Sequence, residues 1–477
     1  MNRRLLSYLR EARFLSVLGA PLMVAQVSQM GMSVVDVVMA GRYGAEDLAG
    51  VGLGTGLYWP IMLLLTGTLL AVTPTIAQLY GAGRVAETGA VARQAIWLGA
   101  FLGVVVFFVL RNVEPLYRLL EVDPRAIPIS VEFLRAQSYG IFGLLGYLVL
   151  RNLCEGMGMT VPTMVIVLSA LVLKVPLTYV LVFGMGDFEG LGGVGCGWAT
   201  AATMWFQLLG ALVAVRVTRI VKSGFFNGIE WPDWVAIGRL VRLGLPMGGV
   251  IFIEVSFFSA VTLLIGRLGV EAVAAHQIAM NVASIGFMIP LALSLATTIR
   301  VGAVVGAQNF RVARRTMLVA IVISLLVGLG IAIVLFIGRT PIVSLYSDDA
   351  TVLGVAATLL LMCAFFQLFD ASQVTAIGTL RGFKDANVPM VLVLLAYWIV
   401  GMPLGIALAF GIGTFEGLGV IGFWWGLIAG LALAALLLLA RVAWVSKNIQ
   451  LVSARNSQPA SRLRMEETEP SDQIVGS

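Results

Sequence analysis

The residues FEGLG stand at 188–192 and again at 415–419, and a tryptophan follows each copy at the same interval, Trp198 and Trp425. Glycine and alanine match by chance in any apolar chain, but a five-residue identity at a fixed offset does not. Moving outward, the same offset of 225 to 227 residues pairs Leu18-Gly19-x-Pro21 with Leu243-Gly244-x-Pro246, and Gly41-Arg42-x-Gly44 with Gly266-Arg267-x-Gly269. It also pairs Gly81-Ala82 with Gly306-Ala307, Pro162 with Pro389, and Pro176 with Pro403. The chain therefore reads as two copies of one fold.

Composition decides the solvent of that fold. Of 477 residues 59% are hydrophobic and only 12% charged, with a mean hydropathy of +0.98. A water-soluble domain carries about a quarter of its residues charged, so the apolar surplus has to face lipid. One crossing takes about 20 apolar residues. Apolar runs bounded by charge or by Gly and Pro predict twelve spans, near 14–40, 50–79, 95–112, 133–153, 161–184, 194–217, 240–266, 274–300, 316–338, 352–378, 388–411 and 420–444. The runs do not alternate as barrel strands would, so the spans are helices. The expected class is an all-α polytopic membrane protein with an arm at 1–13, a six-helix bundle at 14–217, a cytoplasmic linker at 218–239, a second six-helix bundle at 240–444 and a disordered tail at 445–477. Two bundles with even numbers of spans enter the membrane from one side, so their pseudo-two-fold axis runs along the membrane normal.

An even span count also puts both termini on one side. The loops on that side hold 23 Lys and Arg residues and the opposite loops seven, with Lys174 alone inside a span. Positive charge accumulates in the cytoplasm, so both termini are expected there. Cys154, Cys196 and Cys363 have no paired spacing and His276 is the single histidine, which argues against a disulfide framework, a metal site and a haem. No cofactor is expected, and the net charge of +6 reflects topology, with no nucleic-acid partner implied.

Three of the 25 acidic residues fall well inside the spans: Asp36, Glu254 and Asp370. A charge near the bilayer centre costs about 3 kcal/mol even on the lenient insertion scale, so such groups face a cavity or a partner. Gln26, Gln29, Ser33 and Asp36 are spaced 3, 4 and 3 residues apart and share one helix face. Asp370 has Gln367 and Gln373 one turn to either side, and Gln277 and Asn281 form a further polar stripe on the eighth span. Glu254 has Phe257 and Phe258 one turn on, and a carboxylate set among rings loses solvation in a way that suits proton exchange. The repeat places Val261 opposite Asp36, Gln29 opposite Glu254 and Gly143 opposite Asp370, so the acids are additions to the shared fold. Lys174 either takes as counter-charge Asp36, the intramembrane acid its own half offers, or stays neutral or snorkels along Thr178 to an interface.

The runs VDVVMAGRYGAEDLAGVG at 35–52, LLIGRLGVEAVAAHQIAMN at 263–281 and RGFKDANVP at 381–389, with the doubled FEGLG, resemble the multidrug and toxic compound extrusion family, in its NorM-like branch. The resemblance extends to about residue 445. It implies a twelve-helix exporter of the bacterial inner membrane with a V-shaped cavity, acting as a monomer, embedded in membrane lipid and expelling cationic drugs and dyes against inward H+ or Na+. The family's cation-coupling acids match Asp36, Glu254 and Asp370. One departure stands out: where NorM-like members have Asn, then Pro and then Asn or Asp before Tyr, this chain has Lys174, Pro176, Thr178 and Tyr179. An ammonium there competes with sodium, and the helical neighbours of Glu254 offer sodium no oxygen, which favours a proton. No phosphate-binding loop of the Gly-x4-Gly-Lys-Ser/Thr type is present. The rival reading is a lipid-linked oligosaccharide flippase, which would call for an arginine-lined cavity.

Overall fold

Lipid offers a backbone no hydrogen-bond partner, so each apolar run must close its own bonds as a helix. The computed structural model describes residues 3–119, 123–228, 230–346, 349–412 and 415–457. The first six spans are Leu5–Tyr43, Ala45–Gly81, Val85–Arg111, the bent pair Ala126–Ser138 and Ile141–Gly156, Val161–Phe183 and Gly193–Val217. The other six are Trp234–Leu268, Val270–Gly306, Phe310–Val343, Thr351–Gly382, Asn387–Phe410 and Val420–Lys447. They are numbered one to twelve below. The fourth bends by 49° at Gly140, where a Cβ would collide with Ala201 and Met204 of the sixth span.

Three boundaries differ from the sequence reading. The arm is not separate, because the first helix already runs from Arg3. The seventh helix begins at Trp234, inside the expected 218–239 linker, capped by the Asp233 carboxylate accepting from the Val235 and Ala236 amides. The start of the expected tail is helical, through Lys447 and again over Ile449–Ser457, while residues 458–477 lie outside the described residues.

The FEGLG copies end the fifth and eleventh spans. Gly184–Met185 pairs with Phe188–Glu189 in a two-stranded hairpin, and Gly411–Ile412 pairs with Phe415–Glu416 in the same register. The Leu191 and Gly192 amides then donate back to the Leu181 and Val182 carbonyls, as those of Leu418 and Gly419 do to Leu408 and Ala409. These bonds satisfy carbonyls that the last helical turn leaves open. A Cβ at Gly190 would strike the Val182 carbonyl and one at Gly417 the Ala409 carbonyl. Gly192 and Gly419 take φ of +57° and +58°, a region that glycine enters without strain. The motif is repeated because one cap geometry is used twice.

Each half has its own core, the first around Tyr147, Leu145 and Leu150, the second around Trp424, Phe423 and Tyr397. A third cluster joins the halves: Leu15, Leu18 and Leu22 of the first span pack on Ala292, Leu293, Ala296 and Ile299 of the eighth. Backbones touch nearby. A Cβ on Gly67 would meet Gly248, one on Gly244 the Thr68 carbonyl, one on Gly81 the Ala303 carbonyl and one on Gly306 the Gln78 carbonyl. Small residues permit such approach where helices cannot rely on a hydrophobic drive to associate. Polar contacts seal the same end: Arg300 holds Glu11 with two hydrogen bonds of 3.0 and 2.7 Å, Thr316 donates to Glu11 at 3.1 Å, and Gln78 donates to the Gly382 carbonyl at 2.9 Å. Because successive spans alternate in direction, these contacts all lie at the end that bears the chain termini. These contacts close the seam between the halves at that end.

An ideal Cβ on Gly19 falls 3.8 Å from Ala296 Cβ, a spacing that suits a disulfide. The G19C/A296C variant, cut at a protease site inserted beside exposed Trp231, should run as one band without reductant and as two with it. Two bands in both lanes would contradict the closed seam. The G190A and G417A variants should each melt several degrees below the parent, whereas G52A, with open space around its Cβ, should not; equal melting of all three would refute the cap argument.

Candidate functional site

In the first half, three helices converge on Asp36. Lys174 Nζ of the fifth span lies 2.7 Å from Asp36 Oδ2 and 2.9 Å from Thr200 Oγ1 of the sixth, and Thr200 Oγ1 lies 3.3 Å from Asp36 Oδ2. Lys174 is only 2% exposed, so its ammonium has little but these oxygens in place of water. The second carboxylate oxygen, Asp36 Oδ1, is buried without a partner among the described residues. The counter-ion expected for Lys174 is in contact with it. Thr200, which shares the pair, escapes a reading of the sequence because a lone threonine in an apolar helix more often bonds its own preceding turn.

The stripe that leads to Asp36 is only partly a lining. Gln29 and Ser33 are half-buried, but the Gln26 side-chain carbonyl accepts from Arg151 Nη2 at 3.1 Å, and Arg151 pairs with Glu155 at 2.6 Å. Glu155, 2% exposed, is a further buried acid; in sequence it passes for a loop charge because it sits in the last turn of a span broken at Gly140.

The second half builds a different site. Gln373 Nε2 and Tyr397 Oη each lie 3.4 Å from Glu254 Oε1, and the Tyr397 hydroxyl donates to Gln373 Oε1 at 2.6 Å. The Tyr397 ring stacks on Phe257, with centroids 4.9 Å apart and planes 12° apart. Glu254 thus meets oxygen-bearing side chains of the tenth and eleventh spans. Its own helical neighbours offer no oxygen, as expected, and these partners come from other spans. Asp370, 4% exposed, lies one turn from Gln373 and within the electrostatic reach of Glu254. Tyr397 sits in a π-helical stretch, Leu395–Gly401, just before Pro403, whose missing N–H cannot continue the helical ladder. Such single π turns recur at functional sites.

Other candidates go elsewhere. Gln367 Nε2 donates to the Ala283 carbonyl at 2.8 Å, tying the tenth span to the eighth. Gln277 is exposed, and exposed Asn281 accepts from the Tyr346 hydroxyl at 3.2 Å; the stripe on the eighth span thus stands apart from the carboxylates. His276 is a core residue. Its Nδ1 accepts from the indole of Trp424 at 3.2 Å, which leaves the proton on Nε2, 3.0 Å from Thr262 Oγ1. Among the described residues no group of three or more His, Cys, Asp or Glu is arranged to hold a metal ion. Asp36 and Lys174 thus form an ion pair in the first half, and Glu254 and Asp370 stand in the second with no cation in contact among the described residues.

The MatE family model matches residues 21–180 and 246–407, two segments separated by the same offset as the internal repeat. The chain is 42% identical over 435 residues to "Multidrug resistance protein PmpM" of Pseudomonas aeruginosa, covering 91% of each. It is 39% identical over 454 residues to "Multidrug resistance protein MdtK" of Photorhabdus laumondii, covering 94% of this chain and 99% of that protein. Among solved structures, the eukaryotic MATE transporter AtDTX14 superposes with a TM-score of 0.85 at 21% identity, over 94% of this chain and all of that one. An outward-facing multidrug resistance MATE transporter gives 0.81 at 20% identity, over 93% and 97%.

Removing one partner of a buried ion pair leaves an unanswered charge, at a cost of about 3–5 kcal/mol. Asp36→Asn and Lys174→Met should therefore each lower the melting midpoint of the purified protein more than the double variant does. Additive losses in that cycle would show that the pair contributes no coupling.

Proposed function

The chain belongs to the MatE family of membrane transporters, and from that premise we propose that it drives multidrug efflux with an inward proton, exchanged at Asp36 for an outgoing cationic drug or dye. It is a multidrug efflux transporter rather than an enzyme, and its many spans and bacterial relatives go with an inner-membrane location. The excess of Lys and Arg in the loops on the side of the termini supports cytoplasmic ends, so the sealed end of the seam faces the cytoplasm. The seam forms within one chain, which suits action as a monomer.

The Lys174–Asp36 contact carries the choice of ion. A built-in ammonium already occupies the carboxylate at 2.7 Å, so a sodium ion would have to displace it, whereas a proton neutralises Asp36 where it stands. A neutral Asp36 no longer answers Lys174, and a buried unpaired ammonium favours any state in which it reaches water or another acceptor. Occupancy of the site shifts the equilibrium between outward- and inward-open forms only by such a difference between states. One proton in for one monocation out moves no net charge, so the proton concentration difference, worth about 1.4 kcal/mol per pH unit, drives the exchange without nucleotide hydrolysis. Glu254 and Asp370, which have no ion-pair partner among the described residues, are the acids that hold the drug cation.

Purified protein in vesicles should expel an ethidium-like dye when an inward proton gradient is imposed, and a sodium gradient alone should do nothing. Asp36→Asn should abolish the response to pH while E254Q weakens dye binding. Dye movement that follows sodium and ignores pH would overturn the proton.

A further inference from the structure

A cavity of about 790 Å3 opens in the second half, at the end that bears the chain termini. Arg311 and Arg314 of the ninth span, Lys447 at the close of the twelfth, and the side-chain amides of Gln308, Asn309 and Gln450 line it, and among the described residues no acid does. Arg314 is fixed in the wall, its Nε donating to the Ser446 carbonyl at 2.7 Å. The acids of the neighbouring segments are taken: Glu11 pairs with Arg300 and Asp385 with Arg441. Arg315, the next residue on, turns instead to the Tyr8 ring. The short helix Ile449–Ser457 adds open donors. Asn448, just before it, donates back to the Trp444 carbonyl at 3.0 Å, and among the described residues no side chain caps the first turn, whose residues Ile449, Gln450 and Leu451 reach the cavity. Unsatisfied amides at a helix start favour an anion, and phosphate oxygens suit the fork of arginine.

The surface beside the cavity distinguishes a lipid from a free anion. Arg314, Leu318, Val322, Leu325 and Leu329 are spaced 4, 4, 3 and 4 residues apart, so they share one face of the ninth span, and all five are exposed. Trp444 and Leu451 are exposed close by. In a chain that crosses a membrane such a stripe meets acyl chains, and a cation at its head meets the headgroups. The first half lacks the feature. The repeat offset pairs Arg314 with Gly89 and Arg311 with Ala86. A Cβ on Gly89 would strike the backbone of Ser223 and Phe225, and Arg93 holds the Gly224 carbonyl and the Glu230 carboxylate. The chain leaving the sixth span thus fills the place that beside the twelfth stays open and cationic. We propose that the cavity binds the phosphate headgroup of an anionic phospholipid from the leaflet on the side of the termini, with an acyl chain laid along the ninth-span stripe. The site stands apart from the intramembrane carboxylates and does not depend on the transport reading.

Native mass spectrometry of the purified full-length protein, titrated with dioleoylphosphatidylglycerol or dioleoylphosphatidylcholine, tests the assignment. The parent should retain one phosphatidylglycerol in preference to phosphatidylcholine. Arg311→Gln and Lys447→Gln change exposed residues, and each should weaken that first binding about fivefold, the effect of one basic residue at a membrane surface. Arg311→Lys should keep it. Lys222→Gln, which removes an exposed cation on the same side of the first half, should leave it unchanged. Equal retention of the two lipids by the parent, no loss in Arg311→Gln and Lys447→Gln, or an equal loss in Lys222→Gln would overturn the site. Displacement of the phosphatidylglycerol by equimolar inorganic phosphate would make it a free-anion site. Tighter phosphatidylglycerol binding in E466Q/E467Q/E469Q would give the cavity to acidic residues of the chain itself, which lie outside the described residues. Either result would overturn lipid as the occupant.

Discussion

A carboxylate in hydrocarbon has to be answered by a positive charge, and what answers it decides how this molecule works. At Asp36 the answer is built in: Lys174 at 2.7 Å, with Thr200 accepting from the same ammonium. At Glu254 and Asp370 no ammonium or guanidinium among the described residues lies in contact; neutral donors, Gln373 and Tyr397, reach Glu254 at 3.4 Å. On the function proposed above, the first site answers a proton and the second accepts a cation from outside.

The two sites lie in separate halves, and a seam joins those halves at one end. Glycines at 67, 81, 244, 248 and 306 bring helix backbones together at the end bearing the termini, and Glu11 ties the first span to the eighth and ninth through Arg300 and Thr316. Leu15, Leu18 and Leu22 of the first span close the seam against the eighth beside these hydrogen bonds, while each half keeps a core of its own.

Most of the fold was legible because lipid imposes a simple rule on sequence. Apolar length gives spans, and the doubled FEGLG gives the repeat; the structure explains that identity by carbonyls at Val182 and Ala409 that leave no room for a side chain. The three intramembrane acids stood out for the same reason, since hydrocarbon makes a charge conspicuous. Legibility ended where neighbours come from other helices. Thr200, Tyr397 and Gln373 became partners of the acids only through packing between spans, and a periodic stripe could not tell that Gln26 turns to Arg151 or Gln367 to the Ala283 carbonyl. Glu11 and Glu155 escape notice in sequence because they lie near helix ends, where a charge usually meets water; burial against Arg300 and Arg151 is a tertiary fact.

One backbone plan carries opposite chemistry in its two copies. The offset that aligns Pro176 with Pro403 aligns Lys174 with Gly401 and Tyr397 with Ala170. Where the fifth span extends an ammonium to Asp36, the eleventh has a glycine whose Cβ would crowd Gly430 of the twelfth, so the two helices close together and leave no room for a long side chain. Where the eleventh span extends a phenol to Glu254, the fifth has alanine in its core. The π-helical stretch Leu395–Gly401 has no counterpart in the fifth span, which remains α-helical across Pro176. Tyr397 lies within this stretch, and its hydroxyl donates to Gln373 at 2.6 Å. The repeat thus gives both halves one backbone plan, and its local failure gives them two unlike buried sites.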